Sequence, residues 1–131
     1  MVVEGEIKDR LAAAAFSGLY SMNSFAARAP VLVAVMTERS KYAARLGGQI
    51  RGVQYSLIDI GISCEHLILQ AAEEGLGTCW LGWFNERGVK RVLGLPRAAR
   101  IDVIISMGNP ESVNLRDKNR KSVNEVRQFV S

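Results

Sequence analysis

A long apolar segment near the middle of the chain constrains the fold more than any other feature. It covers residues 53–74, VQYSLIDIGISCEHLILQAAEE. Its apolar residues recur every three or four positions, which is the spacing of one face of an α-helix. Because Ile58, Ile62 and Leu69 fall on other sides, the predicted helix is apolar around most of its circumference. We expect this central helix to be buried on more than one side, with a subunit interface as its second face.

A membrane-spanning role is not expected for this helix. Asp59, Glu65 and His66 interrupt it, and no apolar run reaches about 18 residues. The amino terminus, MVVEGEIKDR, also has no basic-then-apolar signal region. At 131 residues and 48% hydrophobic, the chain fits a single soluble domain, residues 1–131. Its two cysteines form no CxxC pattern, which favours a reducing, cytoplasmic location.

Other segments predict a sheet flanked by further helices. Helix formers extend from Glu6 to Leu19, and residues 25–29 predict one further turn. Two continuously apolar runs, residues 31–36 and 101–107, are typical of strands covered on both faces. The segment 38–52 is predicted to be a loop. The remaining signals are helix caps: Gly75 and Gly77 after the central helix, Asn85 before residues 86–94, and a Ser122–Glu125 capping box. The order of elements indicates one α/β-type or α+β domain.

Catalytic side chains are scarce. The single histidine, His66, lies in the central helix, where a hydrogen-bonded core or interface role is expected. A zinc site made from Cys64, His66 and Cys79 would have only three ligands, two of them pointing to different sides of one helix. Cys79 has no base partner for nucleophilic catalysis, and neither a phosphate loop nor a dinucleotide fingerprint occurs. If the chain is an enzyme, an organic cofactor is expected to carry its chemistry.

The segment GLGTCWLGWF, residues 75–84, offers a place for a planar cofactor. Its glycines permit close approach of a ligand to the backbone, and Trp80, Trp83 and Phe84 supply flat apolar faces. Backbone N–H groups at Gly82 and Trp83 could donate to a heteroatom that gains negative charge on reduction. A plain core role for the three aromatic residues is the alternative.

A basic cluster near the carboxyl terminus has two interpretations. The chain carries a formal charge of +4, and Arg116, Lys118, Arg120 and Lys121 lie within six positions. Interspersed acidic residues favour a solvated surface, whereas closely spaced Lys and Arg can also surround a phosphate. Nucleic-acid binding is not expected, because no recognised motif accompanies the charge.

Taken together, these segments resemble the FMN-dependent nitroreductase family. The resemblance runs through Ala29-Pro30 and the strand VLVAVMT, then YSLIDIGISCEHLILQAAEEGLGTCWLGWF, VKRVLGLP, a strand ending MGNP, and the tail LRDKNRKSVNEV. It covers nearly the whole chain. It implies an α+β fold with three layers, α/β/α, a central mixed or antiparallel sheet and a long central helix.

The resemblance also implies a function. Family members are typically intertwined homodimers with FMN at the subunit interface. They transfer two electrons from NAD(P)H to nitroaromatics, quinones or related small acceptors by ping-pong turnover. Leu81, Gly82 and Trp83 match the segment whose backbone contacts the N5/O4 edge of the flavin. Lys118 and Arg120 resemble the residues that bind the FMN phosphate, with Lys121 as a substitute.

One family feature has no counterpart in this sequence. Family members begin with an Arg-x-Ser-x-Arg segment that holds the FMN phosphate and ribityl chain, whereas this sequence starts MVVEGEIKDRL. We expect a member shortened at its N-terminus, in which Val2 and Val3 remain from the first strand. Two functional hypotheses follow: an FMN oxidoreductase, and a cofactor-poor homodimeric remnant that binds flat ligands without turnover. A basic anion or nucleic-acid binder is a third.

Overall fold

The computed structural model describes residues 1–37, 54–112 and 118–130. Its centre is a four-stranded antiparallel sheet with the strand order β1-β2-β4-β3. The strands are β1 (Val2–Glu4), β2 (Val31–Met36), β3 (Gly77–Leu81) and β4 (Ile101–Gly108). In β4, Ile105 lies opposite Val33 of β2 on one side and Trp80 of β3 on the other. The apolar runs 31–36 and 101–107 are therefore confirmed as the inner strands. The predicted loop 38–52 lies outside the described residues.

Helices cover both faces of this sheet. Helix α1 (Gly5–Ala15), a 3₁₀ helix (Gly18–Arg28) and α3 (Glu86–Val92) lie on one face, and α2 (Tyr55–Glu73) lies on the other. The first face contains the larger core cluster, in which Leu11, Leu32, Leu81, Val89 and Ile104 are fully or almost fully buried. On the second face, Cys64 of α2 packs with Val33, Val103 and Ile105. The expected α+β fold with a sheet between two helical layers is confirmed.

The first predicted helix is shorter than the sequence suggested. It ends at Ala15 rather than Leu19, because Gly18 adopts a φ of 58°, a left-handed conformation that interrupts a right-handed helix. The chain continues as a 3₁₀ helix of 11 residues where only one turn, 25–29, was expected. A 3₁₀ helix has three residues per turn. Tyr20, Asn23 and Ala26 therefore lie in one row along it.

Helix α2 packs against the sheet along one face only. Cys64 and Ala71 are buried there, whereas Ile58, Ile62 and Leu69 are 50%, 53% and 59% exposed. At about 100° per residue, these three lie opposite the buried row. No described element covers this outer face, so its burial at a subunit interface stays a prediction.

The structure also bears on His66 and on the cap at the carboxyl end of α2. His66 is exposed, so a core role is wrong, and the interface alternative stays a prediction. The helix ends as expected at Gly75, whose φ is 74°. The N–H of Leu76 donates to the carbonyl of Ala71 at 2.8 Å, which satisfies a terminal acceptor. Gly77, by contrast, begins β3 and takes no part in the cap.

The carboxylate of Asp102 joins the end of β2 to the start of β4. The side chain of Asp102 is 4% exposed and makes an ion pair with Arg100, 2.8 Å between Oδ1 and Nε without hydrogen-bond geometry. Its Oδ2 accepts hydrogen bonds from the N–H and hydroxyl of Thr37, at 3.1 and 2.7 Å. The residue directly after β2 is thus attached to the start of β4, and the buried charge is compensated.

Glu86 makes a similar connection between α3 and β4. Its Oε1 accepts a hydrogen bond from the N–H of Ile101 at 3.0 Å and lies 2.7 Å from Nζ of Lys90. Partial burial raises the pKa of the Glu86 carboxyl, but these hydrogen bonds and the charges of Lys90 and Arg100 outweigh it. The pKa therefore lies below its ordinary value.

Within the described ranges, no helix is long and apolar enough to cross a membrane. The same ranges contain no cluster of three or more His, Cys, Asp or Glu side chains that could hold a metal ion.

Candidate functional site

A four-residue connection, residues 82–85, joins the end of β3 to the start of α3. Its first two residues, called here the Gly82–Trp83 turn, are the candidate site. Leu81 before it is buried in the core, and Phe84 after it is buried again. The N–H of Asn85 then donates to the carbonyl of Ala15 at 2.9 Å. Gly82 and Trp83 themselves are exposed. They form a short exposed segment between two buried residues, Leu81 and Phe84.

The backbone N–H groups of this turn are free to bind a ligand. In the part of the chain that the structure describes, neither the N–H of Gly82 nor that of Trp83 donates to a protein acceptor. A Cβ added at Gly82 would meet no atom within 4 Å, and the φ of this residue lies outside the left-handed region. Neither packing nor backbone conformation therefore requires glycine here. The turn offers two adjacent donors beside open space, which is an arrangement that suits an electron-rich heteroatom of a planar ligand.

Trp83 is held by the 3₁₀ helix. The Nδ2 amide of Asn23 donates to the Trp83 carbonyl at 2.8 Å, and the Trp83 indole Nε1 donates to the Leu19 carbonyl at 3.1 Å. The ring of Tyr20 packs against the indole, with centroids 5.2 Å apart and planes tilted by 45°. Sequence reasoning missed these partners, because they are 60 or more positions away from Trp83 in the sequence and leave no local pattern.

The three aromatic residues of the segment have different surroundings. Phe84 belongs to the core, as the alternative interpretation proposed. Trp80 and Trp83 are 42% and 55% exposed, so a core role is wrong for both in the single chain. Trp80 pairs with Ile105 and therefore lies on the α2 side of the sheet. Two large apolar faces are thus available near the turn.

The basic residues expected at the phosphate lie in the described carboxyl-terminal segment. Lys118, Arg120 and Lys121 are exposed, and none of them makes a hydrogen bond or ion pair in residues 118–130 or elsewhere in the described structure. The segment continues into α4 (Val123–Val126), where the predicted capping box is present. No described contact joins these three cations to the Gly82–Trp83 turn.

A separate open cavity of about 500 Å³ lies at the opposite end of β3. Phe25, Arg28, Cys79, Ser106 and Pro110 are among its lining residues. Cys79 therefore borders this cavity and not the turn. In the described part of the cavity lining there is no histidine to act as its base.

Comparison with known proteins identifies the family. The model of the nitroreductase family matches residues 2–109. A nitroreductase family protein from Clostridium novyi is 31% identical, with a TM-score of 0.67 over 84% of this chain. The chain spans 60% of the length of that protein. A second family protein, from Clostridium difficile, has a TM-score of 0.75 at 23% identity, covering 98% of this chain and 71% of its own. An FMN-dependent nitroreductase from Clostridium difficile has a TM-score of 0.58 at 19% identity, covering 95% of this chain and 68% of its own.

The family match covers most of the sequence, and the same β3–turn–α3 unit lies inside it. The chain belongs to the nitroreductase family.

Proposed function

We propose that this chain is an FMN-dependent oxidoreductase that passes two electrons from NAD(P)H to nitroaromatic, quinone or similar small acceptors. The observation that supports this most directly is the pair of free N–H donors at Gly82 and Trp83 beside open space. Membership of the nitroreductase family and the fold shared with an FMN-dependent nitroreductase point the same way.

In this proposal the turn binds the N5/O4 edge of the flavin ring. Bound FMN would supply a ring that accepts a hydride from NAD(P)H and then passes the two electrons to the acceptor. The N–H groups of Gly82 and Trp83 orient this ring and stabilise the negative charge that it gains. Trp80 and Trp83 contribute flat apolar surface, and the buried Leu81 fixes the strand end from which the turn begins.

Lys118 and Arg120 are proposed to bind the FMN phosphate, with Lys121 as a substitute. All three are exposed and have no described partner that competes for their charge. Each charge-assisted hydrogen bond to a phosphate contributes about 1.5–3 kcal/mol. Two such residues are therefore enough to make FMN bind more tightly than riboflavin.

A homodimer is proposed from the outer face of α2. Ile58, Ile62 and Leu69 lie on one side of this helix and are about half exposed. Since full burial of such a side chain contributes about 1.5–3 kcal/mol, completing their burial would contribute about 1 kcal/mol each. Trp80 lies on the same side of the sheet as α2 and is 42% exposed.

The proposed location is the cytoplasm. Both Cys64 and Cys79 are free thiols, which fits a reducing compartment.

The test of the cofactor is a titration of the purified chain with FMN and, separately, with riboflavin. We expect the protein to quench flavin fluorescence, to bind FMN more tightly than riboflavin, and to oxidise NAD(P)H when a nitro or quinone acceptor is present. A folded protein that takes up neither flavin would contradict the proposal and favour a cofactor-poor module that binds flat ligands.

The phosphate assignment is tested by replacing Lys118 and Arg120 together with alanine. FMN affinity should fall to that of riboflavin, because only FMN carries the phosphate, while riboflavin affinity stays unchanged. A double variant that still prefers FMN as strongly as the original would refute the assignment, and Lys121→Ala would then be the next substitution.

The dimer is tested by Ile62→Glu, which places a charge at the centre of the outer face of α2. Sedimentation should show monomers in place of dimers. Met22→Glu puts the same charge on an exposed apolar residue of the 3₁₀ helix and should leave the dimer intact. An original chain that sediments as a monomer would rule out this interface.

A further inference from the structure

The orientation of the Gly82–Trp83 turn depends on one side chain from a different part of the chain. Asn23 lies in the 3₁₀ helix, 60 positions before Trp83, and its amide donates to the Trp83 carbonyl at 2.8 Å. Asn23 is only partly exposed. The row Tyr20, Asn23, Ala26 points toward the body of the protein, since Ala26 is buried in the core and Tyr20 packs on the Trp83 ring.

The turn has few other constraints. Gly82 has no side chain, and its N–H group has no protein acceptor in the described structure. Nothing lies within 4 Å of the position that its Cβ would occupy. The indole contacts with Leu19 and Tyr20 hold the Trp83 side chain, which can rotate relative to its backbone about χ1. The bond from Asn23 is the described hydrogen bond that holds the Trp83 main chain itself.

The 3₁₀ helix is a suitable base for this contact. Ala26, on the inner side of this helix, is buried in the core. Lys8 of α1 donates from Nζ to the Ala27 carbonyl at 3.0 Å. The position of Asn23 is thus set from a packed element. A group that must direct backbone donors within a few tenths of an ångström needs such support from packed neighbours.

We propose that Asn23 is a positioning residue for the flavin: by holding the Trp83 carbonyl, it restrains the Trp83 main chain and limits the rotation of the preceding peptide groups, which carry the N–H donors of Gly82 and Trp83. This inference rests on the proposed function and adds to it the residue that sets the geometry of the donor pair. Asn23 acts through the turn and does not itself touch the cofactor.

The test compares three variants of the full chain. Asn23→Ala removes the amide donor. Met22→Ala changes the adjacent, exposed residue of the same helix. Lys8→Met removes the bond to Ala27 and loosens the same helix without touching Trp83. For each protein, the affinities for FMN and for riboflavin, the urea unfolding midpoint, and the hydrogen exchange of the Gly82 and Trp83 amides are measured with and without flavin.

We expect Asn23→Ala to lower the affinities for FMN and for riboflavin about tenfold each, which is the effect of one lost hydrogen bond. The loss is equal for the two ligands because Asn23 acts at the ring and not at the phosphate. Flavin should no longer protect the two amides from exchange. Lys8→Met should lower the unfolding midpoint and, like Met22→Ala, change flavin affinity by less than about twofold.

Three results would overturn the inference. In the first, Asn23→Ala binds both flavins within about twofold of the original with equal amide protection, which leaves the proposed function standing. In the second, Lys8→Met weakens flavin binding as much as Asn23→Ala, which reduces Asn23 to a general stabilising role. In the third, the original chain binds no flavin, and the proposed function fails together with the inference.

Discussion

The substitution Gly82→Ala should affect the stability of the fold and the affinity for flavin in opposite directions. The added methyl group meets no protein atom within 4 Å, and the backbone there is not left-handed. The unliganded protein should therefore tolerate alanine. It should gain about 0.4–1 kcal/mol in free energy of unfolding, because alanine has fewer unfolded conformations to lose.

The same substitution should impair flavin binding. A hydrogen bond from a backbone N–H brings its acceptor to about 2.9–3.0 Å. A flavin ring that close to two consecutive N–H groups leaves little space for a methyl group on the residue between them. Losing one or both bonds costs about 1–3 kcal/mol, which corresponds to a decrease in affinity of about 5- to 150-fold.

Gly75→Ala is the matched control, and its expected pattern is the reverse. A Cβ at Gly75 also meets nothing within 4 Å, but its φ is 74°. Alanine in this left-handed conformation costs about 1–2 kcal/mol. Gly75 ends α2, so flavin affinity should stay unchanged. Urea unfolding at one fixed protein concentration and flavin fluorescence titration measure the two quantities.

If Gly82→Ala binds FMN as tightly as the original chain, a ligand role for this glycine is refuted. It is also refuted if Gly82→Ala unfolds as easily as Gly75→Ala, since the space at Gly82 would then be needed by the fold and not by a ligand.

Three further predictions concern the framework around the site. Replacing Glu86 with glutamine should lower the free energy of unfolding at neutral pH. Because the pKa of this carboxyl is lower in the folded state than in the unfolded state, its stabilisation of the fold is complete above about pH 4.3. The difference between the two proteins in urea unfolding should therefore shrink as the pH falls through the folded-state pKa. Gly108→Ala would place a Cβ 2.5 Å from Cδ of Pro30 and should destabilise the protein by about 1–3 kcal/mol; an unchanged unfolding midpoint would contradict this. Asp102→Ala removes both hydrogen bonds to Thr37 and should cost about 2–3 kcal/mol, and a loss below 1 kcal/mol in the same assay would refute the role of this buried carboxylate.

Much of this framework could be predicted from local patterns. Continuous apolar runs identified the two inner strands, because strands covered on both faces contain few polar residues. The caps at Gly75, Asn85 and Ser122 were also correct, since each depends on residues only a few positions apart.

Predictions that depended on distant parts of the chain were less successful. The periodicity of α2 indicated burial on more than one side, whereas the described residues of one chain supply neighbours for one face. Similarly, the sequence predicted one further turn at residues 25–29, but not the long 3₁₀ helix Gly18–Arg28. That helix depends on tertiary contacts such as the one between Lys8 and Ala27.

The candidate site shows the same division between local and distant information. A glycine after a strand and before a helix cap can be found by reading residues 77–85 alone, and without a side chain its backbone is conformationally free. The same freedom means that Gly82 cannot by itself direct its donors toward a ligand. The described structure supplies the direction through Asn23, which is 60 positions away in sequence. Trp83 receives this backbone restraint from the 3₁₀ helix that begins at Gly18, so the interruption that ends α1 also contributes to holding the proposed flavin donors in place.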